Sequence, residues 1–274
     1  MILVAGGTGR LGTLVVQNLA KDGERVRVLT RAAVRAEPIR NDADIVVGDV
    51  RDPATLGPAV AGVSVVVSAI QGFDVRGGGN PDSVDRKGNA NLIAAAAGEG
   101  ADVVLVSVAG ASPGNALVMA RAKFDAEETL KASGVGWTIV RSTPFIETWA
   151  AVVAAGMVFG RGKNPINFVS VTDVAAAVSR AATDPSWRGE SIEIAGPRDL
   201  TLNELAALMK ELKLPIRSAH HVPRWVLKAT ATMDRKAATA LAMDKADLRA
   251  TPGPRPEGVP LTQPRTALRR LAKD

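Results

Sequence analysis

The sequence predicts an α/β fold, a Rossmann-type doubly wound parallel sheet with a small, mostly helical C-terminal substrate lobe. Apolar, β-branched segments alternate with segments of helical spacing over most of the chain, which indicates repeated βα units. Residues 63–70 are almost continuously apolar, as in a strand that helices cover on both faces. Residues 1–30 combine a strand, a glycine-rich turn, a helix and a second strand in one βαβ unit.

The individual elements follow from local patterns. Apolar runs predict strands at 1–5, 25–30, 44–48, 63–70, 102–108, 136–141 and 191–195. Helical spacing and start signals predict helices at 11–21, 52–60, 83–97 and 116–133, and another that begins at 172. Thr201 and Glu204 match a capping box before a further helix. Residues 71–81 are predicted to be a mobile loop, and the chain after about 215 is predicted to be helical, interrupted by a proline-rich turn at 251–256.

The chain divides into two predicted domains. With 274 residues and 46% hydrophobic content, it can bury a sizeable core as one large domain with an appended lobe. Residues 1–195 hold all the predicted strands, with a substrate-side insertion at about 143–168 where the pattern loosens. Residues 196–274 form the predicted helical lobe.

Composition excludes several classes of protein. There is no cysteine, which excludes disulfides and thiolate catalysis and agrees with a reducing compartment. The apolar runs are too short for a spanning helix, and the first residues lack a signal-peptide pattern, so we expect a cytoplasmic protein without a membrane partner. The net charge is +6, but the basic residues are dispersed and aromatic residues make up only 3%, so no nucleic acid is expected. A small-molecule substrate is the expected partner, and a homo-oligomer stays open.

A glycine-rich motif connects the first predicted strand to the first predicted helix. Glycines in this context allow a tight turn, a close backbone approach to a pyrophosphate and close packing of the helix on the sheet. The N–H groups at the start of the helix favour negative charge. The sequence therefore predicts a dinucleotide site formed by Gly6, Gly7, Thr8, Gly9, Arg10, Leu11 and Gly12.

The end of the second strand indicates which dinucleotide is bound. An acid there usually grips the ribose 2′-hydroxyl of NAD and repels the 2′-phosphate of NADP. This chain instead has Thr30 and Arg31. Arg31 can pair with a phosphate through two hydrogen bonds, and Arg10 is a second candidate, for which a solvated surface position is an equal alternative. Arg35 is a more distant third. The sequence predicts a preference for NADP(H) over NAD(H).

Further cofactor contacts are predicted at the ends of the next two strands. Asp49 and Val50 follow the third strand, where they can contact the adenine. The Asp49 side chain can equally cap a turn. Ala69 and Ile70, at the end of the fourth strand, complete the predicted cofactor contacts of this edge.

Five further motifs accompany the glycine loop, at 85–92, 104–108, 122–128, 133–141 and 169–175. Taken together with the loop, they resemble the atypical or extended short-chain dehydrogenase/reductase superfamily, and more narrowly the NmrA-like NAD(P)-binding proteins. The resemblance extends to about residue 210. It implies that Ser107 lies near the nicotinamide, that Lys123 contacts its ribose, and that Pro144 and Phe145 border the nicotinamide.

The chain departs from this superfamily at its proton donor. The superfamily uses a Tyr-x-x-x-Lys pair, in which tyrosine is the general acid. Here Met119 stands four residues before Lys123, and the chain contains no tyrosine. Because methionine cannot donate a proton to a developing alkoxide, standard carbonyl reduction is in doubt.

Three interpretations remain. Lys123 or a bound water can be the proton donor, or the substrate can need little acid catalysis, as with quinones and enones. In both cases the protein is an NADPH-dependent oxidoreductase, with Ser107 and Lys123 as candidate catalytic residues. Alternatively, the chain is a non-catalytic NADP(H) sensor that binds a protein partner. The adjacent histidines His220 and His221 do not predict a metal site.

Overall fold

The structure, a computed structural model, describes residues 1–72, 78–217, 220–222, 224–230, 237, 241–242, 246–250 and 256–271. Its strands are β1 (Ile2–Ala5), β2 (Val26–Thr30), β3 (Asp44–Val47), β4 (Val65–Ser68), β5 (Asp102–Val108), β6 (Trp137–Ser142), β7 (Met157–Phe159), β8 (Ile166–Asn167), β9 (Glu190–Ile194), β10 (Asp199–Leu200) and β11 (His220–Val222). Its helices are α1 (Arg10–Lys21), α2 (Gly57–Val60), α3 (Lys87–Gly98), α4 (Val118–Lys131), α5 (Ile146–Ala154), α6 (Val171–Thr183), α7 (Leu202–Glu211), α8 (Arg224–Thr230) and α9 (Pro264–Leu271).

A seven-stranded sheet in the order β3-β2-β1-β4-β5-β6-β9 forms the centre of the fold. The four pairings from β3 to β5 are parallel, and Ile2 of β1 lies between Val26 of β2 and Val65 of β4. The strand order changes direction between β1 and β4, so the loops after these two strands diverge and leave a crevice at their carboxyl ends. The predicted Rossmann-type sheet is confirmed.

Two compact units make up the chain. The first contains Met1–Arg141, Val174–Ile192 and Pro256–Val259, and the second contains Ser142–Asp173, Glu193–Arg255 and Pro260–Asp274. The segment 143–168, expected to be an insertion of the first domain, therefore groups with the second unit. That residues 1–195 and 196–274 fold as two independent domains stays a prediction.

Each unit has its own apolar core. In the first unit every residue of β1 and β4 is buried, and their side chains pack with those of α3, α4 and β5. The alternating burial of a one-sided sheet is absent from these two strands, as expected when helices cover both faces. In the second unit the core joins α5, α7 and α9.

The structure differs from the sequence-based elements in three places. The predicted helix 52–60 is divided into a 3-10 helix, Pro53–Thr55, and the short α2. The segment 143–168 is not irregular throughout, because α5 occupies nine residues of it. After residue 215 the first described element is strand β11, which pairs with β7, so the prediction of a wholly helical segment is wrong there. Residues 73–77 of the predicted mobile loop and 251–255 of the proline-rich turn lie outside the described residues.

The capping signals are confirmed. Asp52 accepts a hydrogen bond from the Ala54 N–H, and Thr201 and Glu204 form the reciprocal hydrogen bonds of a capping box. Among the described residues, no helix has both the length and the hydropathy to cross a membrane. The cytoplasmic location and the expectation of no nucleic-acid partner stay predictions.

Candidate functional site

The glycine loop turns sharply between β1 and α1. Gly6 has a φ of 86°, in the left-handed region that favours glycine, and its carbonyl accepts a hydrogen bond from Gly9 N at 3.0 Å. A Cβ added to Gly6 would lie 2.6 Å from the carbonyl oxygen of Ala69. The turn is therefore pressed against the segment that follows β4, and a side chain at residue 6 has no room.

Two further glycines bring α1 close to the loop and the sheet. A Cβ on Gly12 would overlap the carbonyl oxygen of Gly6, and a Cβ on Gly7 would lie 2.9 Å from the Val28 side chain on β2. Gly12 thus packs against the loop itself, whereas the sequence predicted contact with the sheet, and Gly7 provides the contact with the sheet. In contrast, a Cβ on Gly9 would meet one atom of the described residues, the Gly6 carbonyl oxygen, 3.3 Å away.

The start of α1 suits an anion. The first intrahelical hydrogen bond runs from Thr13 N to Gly9 O at 2.8 Å, so the N–H groups of Arg10, Leu11 and Gly12 precede it. The N-cap residue is Gly9, which has no side chain to accept a hydrogen bond from these N–H groups. Gly9 and Arg10 are exposed. Free N–H groups at an exposed helix start fit the pyrophosphate of a dinucleotide.

Charged residues follow β2 and β3. Arg31 is exposed, whereas Thr30 is buried and donates its hydroxyl hydrogen to the carbonyl of Ala32 at 3.1 Å. Thr30 therefore shapes the turn that presents Arg31. Hydrogen bonds from the Arg51 side chain lower the pKa of the Asp49 carboxyl below its ordinary value, and the positive charge of Arg31 acts in the same direction.

The Asp49 carboxylate is occupied within the protein. It accepts hydrogen bonds from Arg51 Nη2 at 2.5 Å and from the Arg51 backbone N–H at 2.9 Å. The observed contacts of Asp49 are therefore those of a turn cap, one of its two predicted roles. Next to it, Val50 is buried, and its carbonyl accepts a hydrogen bond from Asn91 Nδ2 at 2.9 Å. Arg51 is a basic residue of this edge that the sequence analysis missed.

Lys123 is buried beneath the segment that follows β4. Its Nζ donates a hydrogen bond to the carbonyl oxygen of Ile70 at 2.8 Å and lies 3.2 Å from Asp85 Oδ1. The side chains of Lys123 and Asp85 are 4% and 0% exposed, respectively, so both charges depend on each other for compensation. Asp85 lies in a π-helical segment, Pro81–Arg86, that leads into α3.

Asp85 also holds the loop after Ile70. Its Oδ2 accepts a hydrogen bond from Gly72 N at 2.8 Å, and its backbone carbonyl accepts one from Asn89 Nδ2 at 2.6 Å. The Asn89 side chain in turn accepts the hydroxyl hydrogen of Ser68, the last residue of β4, at 2.5 Å. These contacts connect β4, α3 and α4 in one buried polar network.

Ser107 is buried in a second network. Its hydroxyl donates to Glu127 Oε1 at 2.5 Å, and the same carboxylate accepts hydrogen bonds from the Arg141 guanidinium on β6. Ser107 is 1% exposed and Glu127 is 0% exposed. Glu127 follows Lys123 by four residues on α4, so one face of this helix buries one charge of each sign.

The remaining predicted residues lie nearby in the chain or in the second unit. Met119 is half-buried in the first turn of α4, one turn before Lys123. Pro144 and Phe145 belong to the second unit, where Phe145 bridges to Val169, so their contact with a nicotinamide stays a prediction. His220 and His221 lie on strand β11, and the described part of the chain contains no group of three or more acidic, histidine or cysteine side chains that could hold a metal ion.

Matches to known proteins agree with this geometry. The sequence profile described as NAD(P)H-binding matches residues 6–185, which include the glycine loop, Ser107 and Lys123. The chain belongs to the NAD(P)H-binding family. The family match therefore confirms the prediction, drawn from the glycine loop, that the chain binds a dinucleotide.

Two relatives are named as reductases. The (4-alkanoyl-5-oxo-2,5-dihydrofuran-3-yl)methyl phosphate reductase of Streptomyces griseus is 33% identical over 223 residues, which cover 79% of this chain and 76% of the relative. The NAD(P)H azoreductase of Xenophilus azovorans is 29% identical over 218 residues, which cover 76% of this chain and 72% of the relative. The NAD(P)H-binding protein thus resembles both over most of their length.

A solved structure shares the fold. The triphenylmethane reductase of Citrobacter sp., complexed with NADP(H), superposes with a TM-score of 0.81 over 98% of this chain and 99% of that chain. The two sequences are 19% identical, so the match supports the architecture alone.

Asp85 and Glu127, the buried partners of Lys123 and Ser107, are residues to which sequence reasoning assigned no role. Both lie in motifs that carried the resemblance, but an acid in an amphipathic helix is usually solvated. A signal was present for each. Asp85 precedes Asn89 by four residues and Glu127 follows Lys123 by four, which puts each pair on one face of its helix.

Proposed function

We propose that the protein is an NADPH-dependent reductase that passes hydride to a small, largely apolar, conjugated acceptor such as a quinone or an enone. One observation carries this proposal. Beneath a dinucleotide loop of suitable geometry, both candidate polar groups are occupied within the protein, Ser107 by Glu127 and Lys123 by Ile70 and Asp85. Among the described residues, the chain therefore offers a site for the cofactor, while neither Ser107 nor Lys123 is dedicated to donating a proton to the product.

The loop and the arginines are suited to hold NADPH. The turn Gly6–Gly9 leaves space for a pyrophosphate at the start of α1, whose N–H groups would bind it. Arg31 would pair with the 2′-phosphate, with Arg10 as a second cation. Arg51 keeps the Asp49 carboxylate engaged, which limits its repulsion of that phosphate. Bound NADPH would supply the hydride.

The polar groups limit which substrates suit the site. A hydroxyl has one hydrogen to donate, and that of Ser107 is directed to Glu127. Lys123 directs one N–H to Ile70 and faces a carboxylate. Without tyrosine, an alkoxide formed from an aldehyde or ketone would receive no proton from a phenol. A quinone or enone gives a delocalised anion instead, which takes its proton from water.

The names of the relatives support an acceptor of this kind. An azo compound, a triphenylmethane dye and a dihydrofuranone that carries an alkanoyl group are all conjugated systems that take up hydride without forming a simple alkoxide. The common feature is a conjugated acceptor, so no proton has to be delivered to an alkoxide. Positioning of donor and acceptor then provides most of the catalysis.

The test is substrate-stimulated NADPH oxidation across a matched panel of a quinone, an enone, an azo dye and an aromatic aldehyde of similar size. We expect at least one conjugated acceptor to exceed the aldehyde by about 10²-fold or more in kcat/KM, because general acid catalysis contributes about that much where it operates. An aldehyde that is reduced as fast as the best conjugated acceptor would contradict the proposed substrate class.

A second candidate function is an NADP(H) sensor that binds a protein partner. Met119, in the position of the expected tyrosine, and the burial of Ser107 and Lys123 favour it, since none of these presents an acid to a substrate. Tight NADPH binding measured by calorimetry, together with no turnover on the whole panel, would support the sensor over the reductase.

A further inference from the structure

We propose that Asp85 and Lys123 are positioning residues that shape the segment 69–72, and that this segment in turn holds the glycine loop in the form that binds NADPH. This inference rests on the proposed function. It assigns Lys123 a role through the protein backbone, where the family resemblance implied direct contact with the nicotinamide ribose. It also assigns a role to Asp85, to which the sequence analysis assigned none.

The two side chains hold the segment at two points. Lys123 Nζ donates to the carbonyl oxygen of Ile70 at 2.8 Å, and Asp85 Oδ2 accepts from Gly72 N at 2.8 Å. The other oxygen of Asp85 lies 3.2 Å from Lys123 Nζ. One carboxylate therefore holds both the lysine and the loop. We call Asp85 and Lys123 the polar clamp.

A second layer fixes the clamp to the sheet. Asn89 donates to the backbone carbonyl of Asp85 and accepts from Ser68, whose position at the end of β4 is set by the sheet. Asp85, Asn89 and Ser68 are each exposed by 1% or less. These buried hydrogen bonds restrict the backbone of the segment, while Asp85 Oδ1 accepts no hydrogen bond among the described residues and meets Lys123 Nζ as an ion pair alone.

The clamped segment touches the cofactor loop directly. A Cβ on Gly6 would lie 2.6 Å from the carbonyl oxygen of Ala69, and a Cβ on Gly72 would overlap the backbone of Asn80. The segment is thus confined on one side by the glycine loop and on the other by Asn80, the N-cap of the π-helical segment. If Ile70 or Gly72 moves, Ala69 moves with them, and its carbonyl then shifts against Gly6.

Because Asp85 and Lys123 are a buried ion pair, an experiment can distinguish a positioning role of Lys123 from its direct contact with the cofactor. Removing one partner of a buried ion pair leaves the other charge uncompensated, whereas replacing both by neutral groups of similar size is often tolerated. An ammonium has three N–H donors, and Ile70 takes one of them. A direct contact of Lys123 with the ribose would use another, and no second substitution at Asp85 could restore it.

The experiment is a double-mutant cycle in the full chain with Lys123→Met, Asp85→Asn and the double variant. NADPH dissociation constants come from calorimetry, and each variant's thermal unfolding is recorded in parallel. We expect each single variant to bind NADPH about tenfold more weakly or worse and the double variant to return to within about threefold of wild type, since coupled buried pairs are strongly non-additive. Lys131→Met, on the exposed face of α4, is the matched control for loss of a lysine.

The outcomes separate the alternatives. A double variant that binds as weakly as Lys123→Met overturns the proposal in favour of direct contact. Single variants that bind like wild type also overturn it, because the clamp would then be unconnected to the loop. If a single variant does not fold, Ser68→Ala loosens the second layer without exposing a charge. It should weaken NADPH binding about threefold, by loss of one hydrogen bond, and unchanged binding would contradict the proposal.

Wild type is measured first. A wild-type chain that binds no NADPH refutes the proposed function and removes the basis of the clamp. A wild-type chain that binds NADPH, together with a double variant that is not rescued, refutes the clamp alone.

Discussion

Ser107 donates its only hydroxyl hydrogen to Glu127, with Oγ 2.5 Å from Oε1. The same carboxylate accepts hydrogen bonds from the Arg141 guanidinium. Ser107 can therefore accept hydrogen bonds from other groups but has no hydrogen left for a substrate carbonyl. The residue expected near the nicotinamide is thus a buried connection between β5, α4 and β6.

Substitutions of Ser107 or Glu127 are therefore expected to lower the free energy of unfolding without a large effect on kcat. We expect Ser107→Ala to lower the free energy of unfolding by about 1 kcal/mol. Glu127→Leu should lower it by about 3 kcal/mol, because Arg141 then loses its buried carboxylate partner. Urea unfolding measures both. A fall in kcat by about 10²-fold in Ser107→Ala at nearly unchanged stability would instead show that Ser107 acts on the substrate.

The packing of Gly12 predicts a matched pair of glycine substitutions. Gly12→Ala puts a Cβ into the carbonyl oxygen of Gly6, so we expect a loss of about 1–3 kcal/mol in the free energy of unfolding and loss of NADPH binding. At Gly98, at the end of α3, an added Cβ meets no atom of the described residues within 4 Å apart from its own helix. The control, Gly98→Ala, should therefore be neutral or slightly stabilising. Equal thermal shifts in the two variants would contradict the close packing.

The alternation of strands and helices predicted the sheet, because each predicted strand of the sheet carries its own signal in consecutive residues. The glycine loop was equally accessible, since Gly6, Gly7, Gly9 and Gly12 act within one turn of backbone. Strand β11 was not, because its pairing with β7 depends on residues that are more than 60 positions away in the chain. Short strands with distant partners leave little local pattern.

The sequence also did not predict which side chains Ser107 and Lys123 contact inside the protein. Motif resemblance located Ser107 and Lys123, but their partners come from other elements, Glu127 of α4 for Ser107 and Asp85 of the segment before α3 for Lys123. Whether a polar side chain faces a ligand or the protein interior depends on this packing. The sequence therefore predicted the positions of the site residues better than their roles.

The exposed Arg31 predicts which cofactor is preferred. We expect Arg31→Asp to weaken NADPH binding by about 10- to 100-fold, the effect of losing a hydrogen bond between charged groups, and to change NADH binding little. Arg25→Asp is the matched control, because Arg25 is an exposed arginine at the opposite end of the same strand. Calorimetry with both cofactors measures the effect. Equal losses for the two variants would remove Arg31 from cofactor selection.

The pairing of Asp49 with Arg51 predicts two changes of opposite sign. Arg51→Met would release a negative charge beside Arg31, so NADPH binding should weaken by about tenfold, which corresponds to about 1.4 kcal/mol. Asp49→Asn removes that charge and should leave NADPH binding unchanged or stronger. Because its pKa is lowered, Asp49 stays ionised at neutral pH, and the difference should be fully present there. Weaker NADPH binding in Asp49→Asn would show that its carboxylate contacts the cofactor.

Met119 predicts a gain of function that tests the missing proton donor directly. Met119→Tyr introduces a phenol one turn before Lys123, in the Tyr-x-x-x-Lys spacing. We expect aldehyde reduction to rise by at least tenfold over Met119→Phe, which adds the same ring without the hydroxyl, because a positioned acid contributes about 10²- to 10⁴-fold where it operates. Quinone reduction should respond equally to the two substitutions, since its product needs no acid. If tyrosine and phenylalanine give the same aldehyde rates, the lack of a phenol is not what limits carbonyl reduction in this chain, and the proposed preference for conjugated acceptors loses its physical basis.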